Sequence, residues 1–345
     1  MKNKIIHFLQ QEIDLEHIPG AVIHISYQGK VLLQEAVGYR ALFPEKSPMK
    51  TETLFDLASL TKVVATLPAI LKLIETGTFR LDDKVKYFLP QFHTEETTLK
   101  HLITHTSGLP AHKPFYKESL NKDELINRIC KEPLISRVGE KVTYSDLGLI
   151  LLYKIIEVVT TEKFETFTKR EIFNPLEMND TGFNLNDNRD RFAATEFCEN
   201  LEEYKTGIVH DENAESMGGI SGHAGLFSTI KDLGNYASMI ENEGVFQGKR
   251  ILSSAALLLA RENFTPFDEE FRGLGWMLKS ENYSSSGDLF SKSSYGHTGF
   301  TGTSIWFDPE IKLHVILLTN RVHLGRKNAI IRLRPRLHNL IRSYF

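Results

Sequence analysis

Residues 55–62 read Phe-Asp-Leu-Ala-Ser-Leu-Thr-Lys. A short extended run over 53–56 gives way here to a helical one, with Ser59 and Lys62 three residues apart at the junction. Spacing i, i+3 puts both side chains on one helix face. Val63, Leu67, Ile70, Leu71 and Ile74 follow at helical spacing, and Gly77 supplies the C-cap. This helix is apolar on nearly every side after Lys62, so it is expected to be buried, and a lysine at its first turn then needs a partner. Desolvation moves an amine toward its neutral form, which accepts a proton from a serine hydroxyl. Backbone N–H groups at the helix N-terminus favour negative charge nearby. The competing reading is an N-capping serine with a snorkelling lysine. The pattern alone does not choose, because Ser-x-x-Lys also occurs at Ser47/Lys50, Ser119/Lys122 and Ser228/Lys231. Ser47 precedes Pro48 in a polar loop, and Ser119 and Ser228 read as helix caps or solvated surface.

Around this stretch the chain is β-rich at both ends and helical between. A helix over about 2–16 precedes two apolar runs that flank Gln28-Gly29, a hairpin signal. Helical runs at 122–130, 147–161 and 163–172 follow, then the glycine-rich segment 217–225 and a helix capped near Ser228. β-runs return near 273–278, 293–300 and 303–320, with a turn at Asp308-Pro309, and a basic helix over about 327–344 closes the chain. The predicted fold class is α+β: an antiparallel sheet from 1–77 and 245–345, flanked by helices, and a mainly helical inserted domain at 78–244, with a cleft between. The serine cluster 284–287 reads as a surface loop.

Composition narrows the function. With 345 residues, 41% apolar content and a net charge of −3, the chain has a full core and no basic excess for nucleic acid. No run approaches the roughly 20 apolar residues of a membrane span. The N-terminal segment is amphipathic rather than a secretory leader, so a cytoplasmic location is expected. Its only cysteines, Cys130 and Cys198, offer no disulfide framework and no metal spacing. His210, Asp211, Asn213 and His223 lack a tight ligand pair, so loop and turn chemistry is preferred there to a metal, and no cofactor is expected. Residues 105–108, His-Thr-Ser-Gly, read as a helix C-terminus. No Gly-x-Ser-x-Gly elbow, phosphate loop or dinucleotide fingerprint occurs.

Two distant motifs weigh on Ser59. Tyr144-Ser145-Asp146 opens the helix at 147, and His297-Thr298-Gly299 follows a β-run, its glycine able to admit another backbone at a strand edge. Ser-Leu-Thr-Lys, Tyr-Ser-Asp and His-Thr-Gly, in that order and at wide separation, resemble the serine β-lactamase and penicillin-binding-protein superfamily. The chain is most similar to the branch of class C β-lactamases, D-alanyl-D-alanine carboxypeptidases and related esterases. Segments 19–40, 81–90, 101–110, 218–229 and 296–309 carry the same likeness, which spans about residues 17–320. The resemblance implies a β-lactamase/transpeptidase-like fold and an acyl-enzyme on Ser59. Lys62 and Tyr144 would handle protons, either one as the base. Backbone N–H groups of Ser59 and Phe300 would form the oxyanion hole. Asp146, His297, Thr298, Gly299 and His223 would contact substrate.

Two departures bear on the substrate. Asp146 replaces the usual asparagine of Tyr-x-Asn: it can only accept hydrogen bonds when ionised, and could pair with Lys62 and hold it charged. His297 replaces the lysine of Lys-Thr-Gly and recognises a carboxylate less strongly. Both disfavour efficient β-lactam hydrolysis and leave esters, amides and peptides open as small-molecule substrates. The expected function is thus serine hydrolysis as a carboxylesterase, D-amino-acid peptidase or amidase, or weak β-lactamase. A cytoplasmic muropeptide-recycling amidase and a non-catalytic binding protein are the alternatives.

Overall fold

The computed structural model describes residues 1–282 and 284–345. Helix α1 (Lys2–Asp14) leads into strands β1 (Gly20–Tyr27), β2 (Lys30–Ala41) and β3 (Ser47–Pro48). Gln28 and Gly29 both have positive φ, 51° and 75°, as a two-residue hairpin turn of matching twist requires. Strand β4 (Phe55–Asp56) runs into a helical stretch that ends as α2 (Leu67–Glu75). Helix α3 (Asp146–Thr160), strands β5 (Gly182–Phe183) and β6 (Leu226–Ser228) and helix α4 (Ile230–Glu241) follow. Strands β7 (Met277–Leu278), β8 (Tyr295–Thr298), β9 (Ser304–Asp308) and β10 (Leu313–Thr319) precede the last helix, α5 (Ala329–Arg342).

The main sheet has seven strands in the order β7-β8-β9-β10-β1-β2-β3, each antiparallel to its neighbour. It joins the two chain ends directly, with Ile23 opposite Leu317 and Ile25 opposite Val315. Side-chain alternation then sorts the core. Ile23, Ile25, Val315 and Leu317 face α1 and α5, packing on Ile5, Leu9, Leu333 and Leu337. Val22, Ile316 and Leu318 face the other way, into a larger core with α2, α3 and α4. Both faces are covered, which is why Val315–Leu318 of β10 read as a continuous apolar run rather than an alternating one. Beside this sheet, β4, β6 and β5 form a small three-stranded one.

Several local readings change. Ser228 is fully buried in β6, and Thr229 caps α4 instead, its side chain accepting from Asp232 N. The helix before residue 107 is short, Leu99–Ile103, and His105 beyond it has φ 61°. The serine cluster is not a free loop: Ser286 is buried, and a Cβ at Gly287 would lie 2.6 Å from Pro335 O of α5. Among the described residues no helix is long and apolar enough to cross a membrane.

Candidate active site

Ser59 does not open a regular α-helix. Ala58–Leu60 form a tight 3₁₀ turn and Lys62–Thr66 a wide π-type turn before α2 begins. The sequence contains the reason. Leu67 N–H bonds to Lys62 O in the π register, and Pro68 has no N–H to continue that register onto Val63 O. Val63 O is instead taken by the Tyr236 hydroxyl from α4. Ahead of the turn, Ala58 sits at φ 46°, a conformation that costs a residue with a side chain roughly 1–2 kcal/mol. Asp56 holds it there: its Oδ1 accepts from Ala58 N at 2.8 Å and its Oδ2 from His210 N at 2.6 Å. Such wide turns and strained residues recur at functional sites.

Lys62 is completely buried, and its Nζ donates to Ser59 Oγ at 2.9 Å and His223 O at 3.1 Å, with Asp146 Oδ1 at 2.8 Å. Two hydrogen-bond acceptors and one carboxylate thus surround the ammonium. Burial pushes Lys62 toward the neutral amine, but Asp146 and Tyr144 more than reverse it and hold the group above the usual lysine value. The partner demanded by a buried lysine is therefore Asp146, the residue that departs from the family pattern.

Tyr144 lies over Lys62, whose Nζ is 4.9 Å from the ring centre, and Arg272 faces the same ring at 5.2 Å. His105 supports it with a ring-to-ring distance of 4.5 Å and ties down the next residue, its Nδ1 accepting from Ser145 N at 3.0 Å. Neither His105 nor Arg272 was singled out from the sequence. His105 was read only as part of the helix C-terminus at 105–108, and nothing in the sequence around Arg272 marks it.

The His-Thr-Gly strand β8 comes to the same place. A Cβ on Gly299 would sit 2.5 Å from Leu57 O and 2.1 Å from Thr303 Oγ1, so only glycine lets this strand end lie against the Ser59 turn. Thr301 Oγ1 donates to Asp56 O at 2.8 Å and Thr303 Oγ1 to Leu57 O at 3.0 Å, fastening it there. His297 is buried, and burial, Lys62 and Arg272 hold it well below its ordinary pKa, so the imidazole is neutral. Its Nδ1–H donates to Thr298 O at 2.9 Å, which leaves Nε2 a bare acceptor without a partner among the described residues. An acceptor of this kind repels a carboxylate and suits an N–H. The Phe300 side chain is half exposed at the rim, stacked on His210 and faced by Arg321 at 4.8 Å.

His223 reaches the site through its backbone carbonyl. Its Nε2–H donates to Asp211 Oδ1 at 2.9 Å, and its Nδ1 is 2.8 Å from Ser221 Oγ. Burial pushes Asp211 up, but His223 and the Ala214 N–H bring it well below the usual carboxylate range. Ser221, His223 and Asp211 thus make a Ser-His-Asp chain, but Ser221 is fully buried and meets no substrate. Asp146, Asp211 and His223 bring ligand-type atoms within 4.8 Å of one another, a grouping the sequence did not suggest because Asp146 is remote from the other two. The Lys62 ammonium already supplies positive charge at 2.8 Å from Asp146.

A sheet that brings a Ser-Lys pair, a tyrosine and a His-Thr-Gly strand edge together defines a serine hydrolase of the β-lactamase-like kind. The chain matches the Beta-lactamase family over residues 5–338 and belongs to it. It is 34% identical to N-acetylmuramyl-L-alanine amidase of Bacillus subtilis (strain 168), across 88% of this chain and 78% of that one. Across 93% of this chain and 82% of the relative it is 30% identical to a putative D-alanyl-D-alanine carboxypeptidase of Escherichia coli (strain K12). Among solved structures, EstCE1, a hydrolase with promiscuous acyltransferase activity, superposes with a TM-score of 0.78 over 98% of both chains at 22% identity. The octameric penicillin-binding protein homologue from Pyrococcus abyssi gives 0.77 over 98% of this chain and 77% of that one, at 24% identity.

Proposed function

We propose that the chain is an amidase acting on peptidoglycan-derived acyl amides through an acyl-enzyme on Ser59. The observation that carries this reading is the fully buried Lys62, whose Nζ lies 2.9 Å from Ser59 Oγ. The name of the Bacillus relative and the acceptor face of His297 favour an amide substrate over a carboxylate-bearing lactam. In the resting site Lys62 is charged, so Ser59 Oγ is an acceptor. A proton passes from Lys62 to Asp146 or is taken through Tyr144, and the free amine then removes the Ser59 proton as Oγ bonds to the substrate carbonyl carbon. The developing oxyanion is held by the N–H groups of Ser59 and Phe300, where one donor is worth about 2.7–4 kcal/mol. Tyr144 hands its hydroxyl proton to the departing nitrogen as the C–N bond breaks, and Lys62 passes on to Tyr144 the proton it took from Ser59. Water then cleaves the ester, returning the proton to Ser59. Thr298 and Gly299 line the cleft, and His223 fixes Lys62 through its carbonyl.

Incubation with N-acetylmuramyl-L-alanine tests the reading. Release of free L-alanine, lost in Ser59→Ala, is expected. Turnover of simple esters with no alanine released would make the protein an esterase instead.

A further inference from the structure

Two arginines meet at the turn that carries the Phe300 N–H. Residues 299–303 close on themselves, with Gly299 N donating to Thr303 O at 2.7 Å and Gly302 N to Gly299 O at 3.1 Å. Arg334 of α5 spans the neck of this turn, its Nη2 donating to Gly299 O at 3.0 Å and to Thr303 O at 2.8 Å. Arg321, just after β10, donates from Nε to Phe300 O at 2.9 Å. Both carbonyls that flank the Phe300 side chain along the backbone therefore rest on guanidinium groups. Arg334 is 6% exposed and Arg321 8%. Their neighbours are ion-paired, Arg326 with Glu196 and Glu212, Arg336 with Glu12 and Arg342 with Asp308. Among the described residues Arg321 and Arg334 are not. Arg321 otherwise meets the Lys327 carbonyl and the Phe300 ring, and Arg334 Nε has no partner among the described residues.

Buried carbonyls need donors, but a neutral donor would serve them. A buried guanidinium without a carboxylate is the costly choice. Burial, with Arg321 close by, accordingly pushes Arg334 down to about 9, and burial lowers Arg321 as well. Positive charge left uncompensated in the resting protein favours negative charge that appears only during reaction. The covalent link to such charge is direct. Gly299 C=O and Phe300 N–H are the two ends of one planar peptide unit. A cation on the oxygen polarises that unit and makes its N–H a stronger donor. The same bond fixes the plane of the peptide, and so the direction in which the N–H points.

We infer that Arg334 is a positioning residue for the reaction: acting through Gly299 O, it aims and polarises the Phe300 N–H toward the substrate oxygen that becomes negative, while Arg321 braces the next carbonyl. The inference rests on the acyl-enzyme reading of Ser59. Neither arginine meets the substrate. Their charge acts in the transition state, where the oxyanion forms, and so acts on kcat rather than on KM.

The probes, used on the full chain, are p-nitrophenyl acetate as substrate and phenylboronic acid as inhibitor, whose adduct with a serine hydroxyl is a tetrahedral anion. Arg334→Gln keeps a neutral donor and loses the charge. It is expected to lower kcat about tenfold or more with KM held within about twofold, and to weaken boronate inhibition by a similar factor. Arg334→Lys restores the charge and should bring kcat back to within about threefold of the wild type. Wild-type kcat in a folded Arg334→Gln, equal losses in the glutamine and lysine variants, or a loss carried by KM at unchanged boronate affinity would overturn the inference. If Arg334→Gln does not fold, Arg321→Gln decides. A fall of about threefold or more in both kcat and boronate affinity supports the inference, and unchanged values overturn it. A wild type without Ser59-dependent ester hydrolysis would mean that the acyl-enzyme reading has failed and the inference with it. Ser59-dependent hydrolysis that is indifferent to Arg334→Gln strikes the inference alone.

Discussion

At the scale of single residues the site turns on Asp146. It holds the buried Lys62 ammonium at 2.8 Å and raises the lysine above its usual pKa. Asp146→Asn removes that hold, so Lys62 falls, and each unit of fall makes the free amine about tenfold more abundant at neutral pH. The acid-side limb of the pH–rate profile, where rate rises with pH, is expected to move to lower pH, with penicillin acylation rising about tenfold or more. A profile that stays in place would contradict Asp146's control of Lys62. His297→Lys should act through a different term, giving a bound carboxylate a cation in place of a bare Nε2 acceptor. It should lower the inhibition constant of penicillin, and the new cation should also shift that limb to lower pH by repelling the Lys62 ammonium. Ser59, Lys62 and Tyr144 were legible because three motifs stand in a fixed order. His105 and Arg272 were not read as parts of the site, because their roles exist only through contacts remote in sequence, such as those each makes with the Tyr144 ring.

At the scale of elements, long periodic segments were readable and irregular ones were not. The β1–β2 hairpin and α3 fall within a residue or so of expectation, since Gln28-Gly29 and an apolar helix at 147–161 carry strong local signals. The start of the Ser59 helix was read as a regular turn, yet it is a 3₁₀ turn followed by a π-type turn. The forces that reshape it come from elsewhere: the Tyr236 hydroxyl on Val63 O, and Thr66 Oγ1 donating to Gly222 O at 2.7 Å. Gly222 seats its loop on α3, where an added Cβ would meet Leu149 O at 2.3 Å. Gly222→Ala is expected to cost about 1–3 kcal/mol or more in urea unfolding and to displace His223 O from Lys62, so activity should fall with stability. Full activity at unchanged stability would show that this seating does not matter.

At the scale of the whole molecule, buried neutral histidines tie folding to pH. Burial lowers His24 and His338 to about 4 and His105 and His297 well below 6.5. Unfolding restores their ordinary affinity for protons, so the unfolded chain binds more of them below about pH 6.5. Their contribution to stability is complete above that value and is lost as pH falls toward 4. The melting temperature should therefore drop steadily from about pH 6.5 downward, and a flat profile across that window would contradict the assignment of these groups as neutral. The fold that buries them also brings residues 59, 144 and 297 together from the two chain ends and the middle, and everything proposed for the site depends on Ser59 being its nucleophile. The most direct measurement is intact mass after incubation with a fluorophosphonate. The account predicts one covalent adduct on the wild type, mapped to Ser59 and absent from Ser59→Ala. No adduct on the wild type, or one that persists in Ser59→Ala, would contradict it.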